Sequence, residues 1–339
     1  MFLVVVPSMK IEGIFFVFQI LIELLITFVP MSKPVICIGA ALVDELYSAS
    51  KSMLLATTND ATVHRSAGGV SRNIAHQLAL LNVPVQLISV FGNDGEGDWL
   101  KAICGYTGIK LDASITNHSL TGRYTGILNA DGSLFTALIT NAALHLITPE
   151  HLENNTDLLF TASHIVADAN ISPEAVEWLA NFSHENNIPF IIEPVSVPPA
   201  QKLSSLNFKG VFMVTPNEDE LPALCNGNNS IMQIQAQELL DRGVEKVWLH
   251  QGAEGSVLFT NGKTITLHAP TISSVKDCTG AGDGSLSGFI MAKYLGMSDE
   301  ESLKVAHTLS AEILQVDGAI ATHLNQEKLL ESVSKYYEV

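Results

Sequence analysis

Residues 277–283 read Asp-Cys-Thr-Gly-Ala-Gly-Asp, and they are followed by GSLSGFIMAKYL, a run of small and apolar residues that predicts a helix. Gly280 and Gly282 have no side chains, so neighbouring backbone N–H groups are free to point into a shared concavity. The helix behind them adds the positive end of its dipole, and this combination suits phosphate oxygens. The stretch therefore predicts an anion site formed by Gly280, Ala281 and Gly282.

Asp283 falls in the first turn of that predicted helix. A carboxylate repels a bound phosphate, but it suits a base that accepts the proton of a hydroxyl group attacking phosphorus. The alternative is an ordinary Gly-rich loop in which Asp283 caps the helix. Two other phosphate motifs are excluded, because the chain has no GxxxxGK[ST] and Ser285 stands where GxGxxG requires its third glycine.

A second Gly-rich segment lies near the start of the chain, after a predicted buried strand at residues 35–40. Asp44 follows that strand. Ligands of open α/β sheets bind outside the carboxyl ends of strands, so Asp44 is predicted to accept hydrogen bonds from sugar hydroxyls. The alternative is a loop carboxylate or helix cap. Gly68 and Gly69 allow a close backbone approach to a ligand, and Asn73 offers a diol both a donor and an acceptor.

Further along, residues 85–92 are predicted to form one strand, and the Gly-rich turn at 92–97 is given a structural role. Residues 121–140 contain two β-rich runs around the hairpin signal Asn-Ala-Asp-Gly at 129–132. Together with residues 46–66, they predict a small sheet that stands off the main domain as a lid.

Residues 160–220 alternate between strand and helix patterns, which is typical of βαβ units and a parallel sheet. Polar residues follow the ends of these predicted strands, and they are of the kinds that bind hydroxyls or Mg²⁺: Asp168, Asn170, Glu193, Asn217 and Glu220. A later strand–turn–strand contains Gly252 and Gly255, which allow its turn to approach a nucleotide.

Composition narrows the class of partner. The net charge is -17, from 35 acidic and 18 basic residues, so nucleic-acid binding is disfavoured. The four cysteines are scattered without framework spacing, which favours a reducing, cytoplasmic compartment, and the histidines lack the spacing of a zinc site.

Residues 1–30 are strongly apolar and are interrupted by Glu23. The preferred interpretation is an upstream start codon, with the working protein beginning at Met31 and no membrane attachment. A genuine N-terminal anchor is the alternative.

Four motifs in order resemble those of the ribokinase-like (PfkB) sugar and nucleoside kinases, and the resemblance covers about residues 33–330. They are GGxxxN at 68–73, GxDxxG at 92–97, NxxE at 217–220 and DCTGAGD at 277–283. The resemblance implies a three-layer α/β/α sandwich with a mainly parallel central sheet and a small β-sheet lid, over residues 31–339. In the family the lid covers the sugar and often pairs two subunits, so a homodimer through the lid is expected.

The resemblance also implies cofactors. ATP is expected near Gly252, Gly255 and Thr279, with Mg²⁺ held through Asn217 and, via water, Glu220. Relatives hold a monovalent cation near the position of Asp277, so K⁺ is a further candidate. Cys278 stands where relatives commonly carry Thr or Val, and the residues leave open whether its thiol is reactive or buried.

Four phrases are most similar to the pseudouridine kinases of this family: ADANIS at 167–172, EPVSVP at 193–198, TPNEDEL at 215–221 and the lid phrase at 124–139. That resemblance implies transfer of phosphate from ATP to the 5′-hydroxyl of pseudouridine. It also implies that Asp44, Gly68, Gly69 and Asn73 orient the ribose, with help from Asp168. The alternatives are a kinase for another sugar or nucleoside, such as ribose or adenosine, and a non-catalytic ligand-binding protein on the same fold.

Overall fold

The computed structural model of this protein describes residues 33–226 and 230–337. The predicted apolar extension at residues 1–30 and the predicted start at Met31 therefore lie outside the described residues. In the described ranges, every helix is too short or too polar to cross a lipid bilayer.

Fourteen strands form within these ranges. They are β1 Val35–Ile38, β2 Leu42–Ala49, β3 Ala61–Gly68, β4 Val85–Ile88, β5 Val90–Gly92, β6 Ile115–Asn117, β7 Arg123–Leu128, β8 Leu134–Thr140, β9 His164–Asp168, β10 Phe190–Glu193, β11 Met213–Val214, β12 Lys246–His250, β13 Ser256–Thr260 and β14 Thr264–Leu267.

Eleven α-helices form within the same ranges. They are α1 Val70–Leu80, α2 Gly95–Tyr106, α3 Pro149–Glu153, α4 Thr156–Leu159, α5 Pro173–Asn186, α6 Val197–Lys202, α7 Glu220–Leu224, α8 Met232–Asp241, α9 Ala281–Tyr294, α10 Asp299–Ile313 and α11 Gln326–Tyr337. Short 3₁₀ turns lie at Ala142–Leu146 and Gly252–Glu254.

Eight strands form the central sheet, in the order β14-β13-β12-β11-β10-β9-β1-β4. The pairs from β4 to β12 are parallel, and β13 and β14 continue the sheet antiparallel at one edge. Because parallel strands end at the same edge, the residues that follow β1, β9, β10, β11 and β12 meet along one line. The mainly parallel sheet predicted from the alternating pattern is confirmed.

Hydrophobic residues pack on both faces of this sheet, which gives three layers. On one face Ile36, Ile165 and Ile192 pack with residues of α5, α7 and α8. On the other face Val35, Val166 and their neighbours pack with α1, α9, α10 and α11. Strands that are buried on both sides read as continuous apolar runs rather than alternating ones.

Small residues on α9 let it pack closely on α10, which fixes the start of α9 over the sheet edge. A Cβ at Gly284 would lie 2.0 Å from the Ile313 Cδ1 atom, and one at Gly288 would lie 2.9 Å from the Ala306 Cα atom. A larger residue at Gly288 would meet backbone atoms, and one at Gly284 would require the Ile313 side chain to move. The small residues of α9 therefore allow it to pack closely on α10, and the helix also supports the Gly-rich loop.

A separate four-stranded sheet has the order β3-β2-β7-β8, and its β7–β8 hairpin turns where the sequence predicts, at 129–132. The sheet is larger than predicted, because β2 begins at Leu42 and β3 ends at Gly68. Asp44 consequently lies on a strand of the small sheet, and its interpretation as a loop carboxylate or helix cap is wrong.

Residues 85–92 do not form the single predicted strand. β4 belongs to the central sheet, whereas β5 pairs with β6 in a two-stranded sheet. Ser89 marks the break between them, since its hydroxyl donates to the Gly39 carbonyl oxygen at 2.6 Å and its N–H donates to the Ser114 hydroxyl at 3.0 Å. Both strands are buried and mainly apolar, so the break leaves no sign in the hydrophobic pattern.

Candidate active site

The two Gly-rich motifs meet at the sheet edge, although they lie more than 200 residues apart in the chain. Asn73 in the first turn of α1 donates through Nδ2 to Asp283 Oδ2 at 2.7 Å. Gly280 is the residue that precedes the helical turn of α9, and Asp283 lies within the helix. Asp283 therefore does not cap α9, and its carboxylate faces the N-terminal motif instead.

The backbone at Gly280 needs a glycine for two reasons. Its φ is 75°, in the left-handed region, and a Cβ would approach Ala319 to 2.5 Å. Gly282 is different, because a Cβ there would meet no atom within 4 Å, so the space beside it is open. The first turn of a helix has N–H groups without partners inside the helix, and this open side is where an anion can reach them.

Asp44 and Gly68 lie opposite each other on β2 and β3. A Cβ at Gly68 would lie 2.1 Å from the Asp44 Oδ2 atom, so the glycine leaves room for the carboxylate. Burial raises the pKa of Asp44 to about 6, and the Arg72 cation acts in the opposite direction. Gly69 has a φ of 96° and lies against the Ala40 carbonyl, which brings the start of α1 onto the end of β1.

Asp168 is buried too deeply to contact a substrate directly. It is 0% exposed, and its two oxygens accept five hydrogen bonds from protein donors: Ala40 N, Ser71 N, Ser71 Oγ, Asn170 N and Asn170 Nδ2. These bonds hold the end of β1 and the start of α1 against the end of β9. The geometry does not support the predicted contact of Asp168 with substrate, and it indicates a supporting role beneath the site.

Glu193, at the end of β10, is a partly accessible carboxylate that faces other acids. Burial raises its pKa well above the usual range, and the negative charges of Asp283, Glu220 and Asp168 act in the same direction. Its Oε2 atom accepts from Val195 N at 2.7 Å. Val195 has a φ of 71°, which is a strained conformation for a β-branched residue and typical of functional sites.

The side chains of Asn217 and Glu220 each accept a hydrogen bond from the backbone N–H of the other residue. Asn217 N donates to Glu220 Oε2 at 3.0 Å, and Glu220 N donates to Asn217 Oδ1 at 2.9 Å. Burial raises the pKa of Glu220, and its hydrogen bond from Asn217 lowers it in part. Among the described residues, no group of three or more His, Cys, Asp or Glu side chains could hold a metal ion alone. One or two carboxylates suit Mg²⁺, which keeps water and substrate phosphates as its other ligands.

The remaining predicted nucleotide residues lie on two turns near this edge. Asn217 forms an isolated parallel β-bridge with His250 at the end of β12. The turn that follows contains Gly252 (φ 55°) and Gly255 (φ 103°). Partial burial acts to raise the pKa of Asp277, but hydrogen bonds from Thr279 N at 2.8 Å and Gly318 N at 3.0 Å outweigh it and lower the pKa.

The small sheet is joined to the main domain by a ring of four charged side chains, which no sequence motif indicates. We call Glu45, Arg65, Glu96 and Arg123 the lid-hinge ring. Arg123 Nη1 contacts Glu45 Oε2 at 2.7 Å and Arg123 Nη2 contacts Glu96 Oε2 at 2.6 Å, while Arg65 pairs with both glutamates. The ring links three strands of the small sheet to α2.

The Gly-rich turn at 92–97 supports this hinge, as predicted for a structural motif. Asp94 caps α2 by accepting from Gly97 N at 2.7 Å, and it also accepts from Thr121 N at 2.8 Å and Thr121 Oγ1 at 2.6 Å. Thr121 leads into β7. The turn therefore sets where the hairpin leaves the main domain.

Comparison with known proteins agrees with this arrangement. A family model described as pfkB family carbohydrate kinase matches residues 32–326. The chain belongs to the pfkB family of carbohydrate kinases, whose reaction is phosphoryl transfer to an alcohol group. The mostly parallel sheet with a small separate sheet is the ribokinase fold.

Individual relatives are named for different substrates. An uncharacterized sugar kinase of Escherichia coli, YeiI, is 31% identical over 255 residues, which cover 74% of this chain and 69% of that protein. An Escherichia coli pseudouridine kinase is 28% identical, with 84% of this chain and 91% of that protein covered. The structure of Arabidopsis thaliana ribokinase complexed with ribose and ATP is 25% identical, has a TM-score of 0.78, and covers 89% of this chain and 99% of that one.

Proposed function

We propose that this kinase transfers the γ-phosphoryl group of ATP to the 5′-hydroxyl of a nucleoside, and that the nucleoside is pseudouridine. The hydrogen bond of 2.7 Å between Asn73 and Asp283 carries the proposal, because it brings the acceptor-binding motif to the residue proposed as base. A sugar hydroxyl held by the first motif then lies beside the carboxylate that accepts its proton.

Asp283 has the electrostatic properties of a general base. Burial raises its pKa to about 6, the hydrogen bond from Asn73 lowers it, and Asp168 raises it. At neutral pH the group is ionised and more basic than an exposed aspartate, which favours proton transfer from an alcohol. The substrate proton passes to Asp283, and the oxygen is then free to attack phosphorus.

The N–H groups of Gly280, Ala281 and Gly282 are proposed to stabilise charge that develops on the phosphate oxygens. Gly252, Gly255 and Thr279 are proposed to contact the nucleotide. Asn217 and Glu220 would hold Mg²⁺, in part through water. When bound, the ion supplies positive charge between the phosphates.

The acceptor is proposed to bind under the small sheet. Asp44, Gly68, Gly69 and Asn73 orient the ribose, and the small sheet closes over it as a lid that excludes water. A homodimer formed through this sheet, a K⁺ ion near Asp277 and a cytoplasmic location complete the proposal.

The choice of pseudouridine rests on the four phrases at 167–172, 193–198, 215–221 and 124–139, and on the similarity to pseudouridine kinases. Ribose is the second candidate, favoured by the structural similarity to a ribokinase with bound ribose and ATP. A panel of pseudouridine, uridine, adenosine and ribose, each with Mg²⁺ and ATP, tests the choice. We expect the highest kcat/KM with pseudouridine, and absence of its turnover would reject this acceptor.

A non-catalytic binding protein is the alternative from another class. Acceptor-dependent release of ADP distinguishes it from a kinase, because a binding protein releases none with any acceptor. Asp283→Asn is the control in the same assay, since it keeps the shape of the site and removes the proposed base.

A further inference from the structure

Arg72 is an enclosed cation next to the junction of the two motifs, and the proposed chemistry gives it no task. Only 1% of its surface is exposed. Its Nε donates to the Gly68 carbonyl at 3.1 Å, Nη2 donates to the Ala67 carbonyl at 2.8 Å, and Nη1 contacts His76 Nδ1 at 2.9 Å. None of these three partners is a carboxylate. A buried charge held by uncharged groups is costly, so its position needs an explanation.

The fourth hydrogen bond of Arg72 goes to Asn73, from Nη2 to Oδ1. A guanidinium group has donors and no acceptor, so the side of the Asn73 amide that faces it must be the oxygen. The amide nitrogen then necessarily points the other way, where it donates to Asp283 Oδ2. Arg72 therefore selects one of the two orientations that an asparagine amide can adopt.

We propose that Arg72 is a positioning residue for phosphoryl transfer, which turns the Asn73 amide nitrogen toward Asp283 and places a positive charge near that carboxylate. The inference rests on the proposed role of Asp283 as the base. It adds a residue that touches neither substrate nor nucleotide and acts through Asn73.

The charges around Asp283 indicate how Arg72 affects the ionisation of that carboxyl group. The charged groups that act on Asp283 come from three elements: Arg72 of α1, Asp44 of β2 and Asp168 of β9. Two of them are acids that disfavour ionisation of Asp283. Arg72 is the group in this set that opposes them, so its loss should raise the pKa of Asp283.

Two substitutions separate orientation from charge. Arg72→Lys keeps a positive charge, but an ammonium group lacks the planar fork that serves several carbonyl-type acceptors at once. We expect turnover to fall about tenfold with the acid limb of the pH–rate profile unchanged. Arg72→Met removes both donor and charge. We expect a similar or larger fall in turnover, and an acid limb that moves up by at least about half a pH unit.

Arg242→Met is the matched control for a structural role. Arg242 also binds carbonyl oxygens, with Nη1 donating to Leu224 O at 2.9 Å and Nη2 donating to Leu206 O at 2.7 Å, and it lies over the Phe208 ring. None of these partners belongs to the site. Its loss should lower thermal stability while kcat per folded molecule and the acid limb stay at the wild-type values.

The experiment compares pH–rate profiles and turnover per folded molecule for wild type, both Arg72 variants, Arg242→Met and Asp283→Asn. Wild-type turnover in Arg72→Lys, together with an unchanged acid limb in Arg72→Met, overturns the inference. If Arg72→Met does not fold, the turnover of Arg72→Lys decides alone. Near-normal turnover in Asp283→Asn would instead reject the proposed function, so the two failures are distinguishable.

Discussion

Two regions of this protein place an arginine near carboxylates, but only one of them pairs the arginine directly with those carboxylates. In the lid-hinge ring, Arg123 has 34% of its side chain exposed and contacts Glu45 and Glu96 directly. At the junction of α1 and α9, Arg72 is almost fully buried and its bonds go to Gly68, Ala67, His76 and Asn73.

The difference lies in what happens to the carboxylates. Direct pairing in the ring neutralises the charges and fixes three strands to a helix. At the junction the acids Asp44 and Asp283 are close to a cation but not paired with it, and their pKa values are raised to about 6. One region uses charge to hold strands to a helix, and the other leaves two acids unpaired, as the proposed chemistry requires.

The largest expected effect comes from removing the acid at the junction. Asp283→Asn should lower kcat by on the order of a hundredfold or more, because the proposed general base is lost while the amide still fits beside Asn73. Steady-state kinetics with saturating ATP and acceptor measure it. A loss of only a few fold would mean that the junction is not specialised for proton transfer, and circular dichroism checks that the variant is folded.

A smaller effect is expected from crowding the acceptor side of the junction. In Gly68→Ala the new Cβ would lie 2.1 Å from Asp44 Oδ2 in the present geometry, so the carboxylate must move. We expect the KM for the acceptor to rise about tenfold, since misplacing a positioning group by about 1 Å weakens binding and catalysis strongly. Gly95→Ala is the control, because its Cβ meets no atom within 4 Å, and it should leave KM unchanged.

The pH dependence tests the unpaired state of the junction acids directly. Both Asp44 and Asp283 have pKa values raised to about 6, so they become protonated as the pH falls through 6. Protonated Asp283 cannot accept the substrate proton, and kcat/KM should therefore fall about fivefold between pH 6 and pH 5. Rates that stay constant down to pH 4.5 would show that these acids behave as exposed carboxylates.

The smallest expected effect belongs to the lid-hinge ring. Glu96→Gln removes one charge from a partly exposed network, which should lower the free energy of unfolding by roughly 1 kcal/mol or less. We expect kcat to stay near wild type, with at most a few-fold rise in acceptor KM. Urea denaturation at low and high salt measures the stability change, which should shrink at high salt. A large loss of kcat would place the ring in the chemistry and remove the contrast between the two regions.

Much of the fold was predictable from local patterns. The alternating strands and helices between residues 160 and 220, the hairpin at 129–132 and the helix after residue 280 all depend on sequence-local signals, and the structure contains each of them. The break at Ser89 was not predictable, because it depends on hydrogen bonds to Gly39 and Ser114, which are distant in sequence.

The candidate site could be proposed from the sequence as a set of residues but not as a geometry. Gly-rich motifs indicate Asp283 and Asn73 separately, and their contact follows only from the packing of α1 against α9. Asp168 has the same kind of signal as Asp44, a carboxylate near a strand end, yet one is enclosed by five protein donors and the other is partly accessible. The sequence indicates a special role for Arg72 only weakly, because it is a single cation in a run of small and apolar residues.

The bond between Asn73 and Asp283 joins segments that are 210 positions apart. In the proposed mechanism neither motif forms a competent site without the other, so we expect a nascent chain to have no activity until α9 has emerged from the ribosome and docked on the sheet. Product formation during synthesis or refolding should consequently report completion of the whole domain rather than any early intermediate.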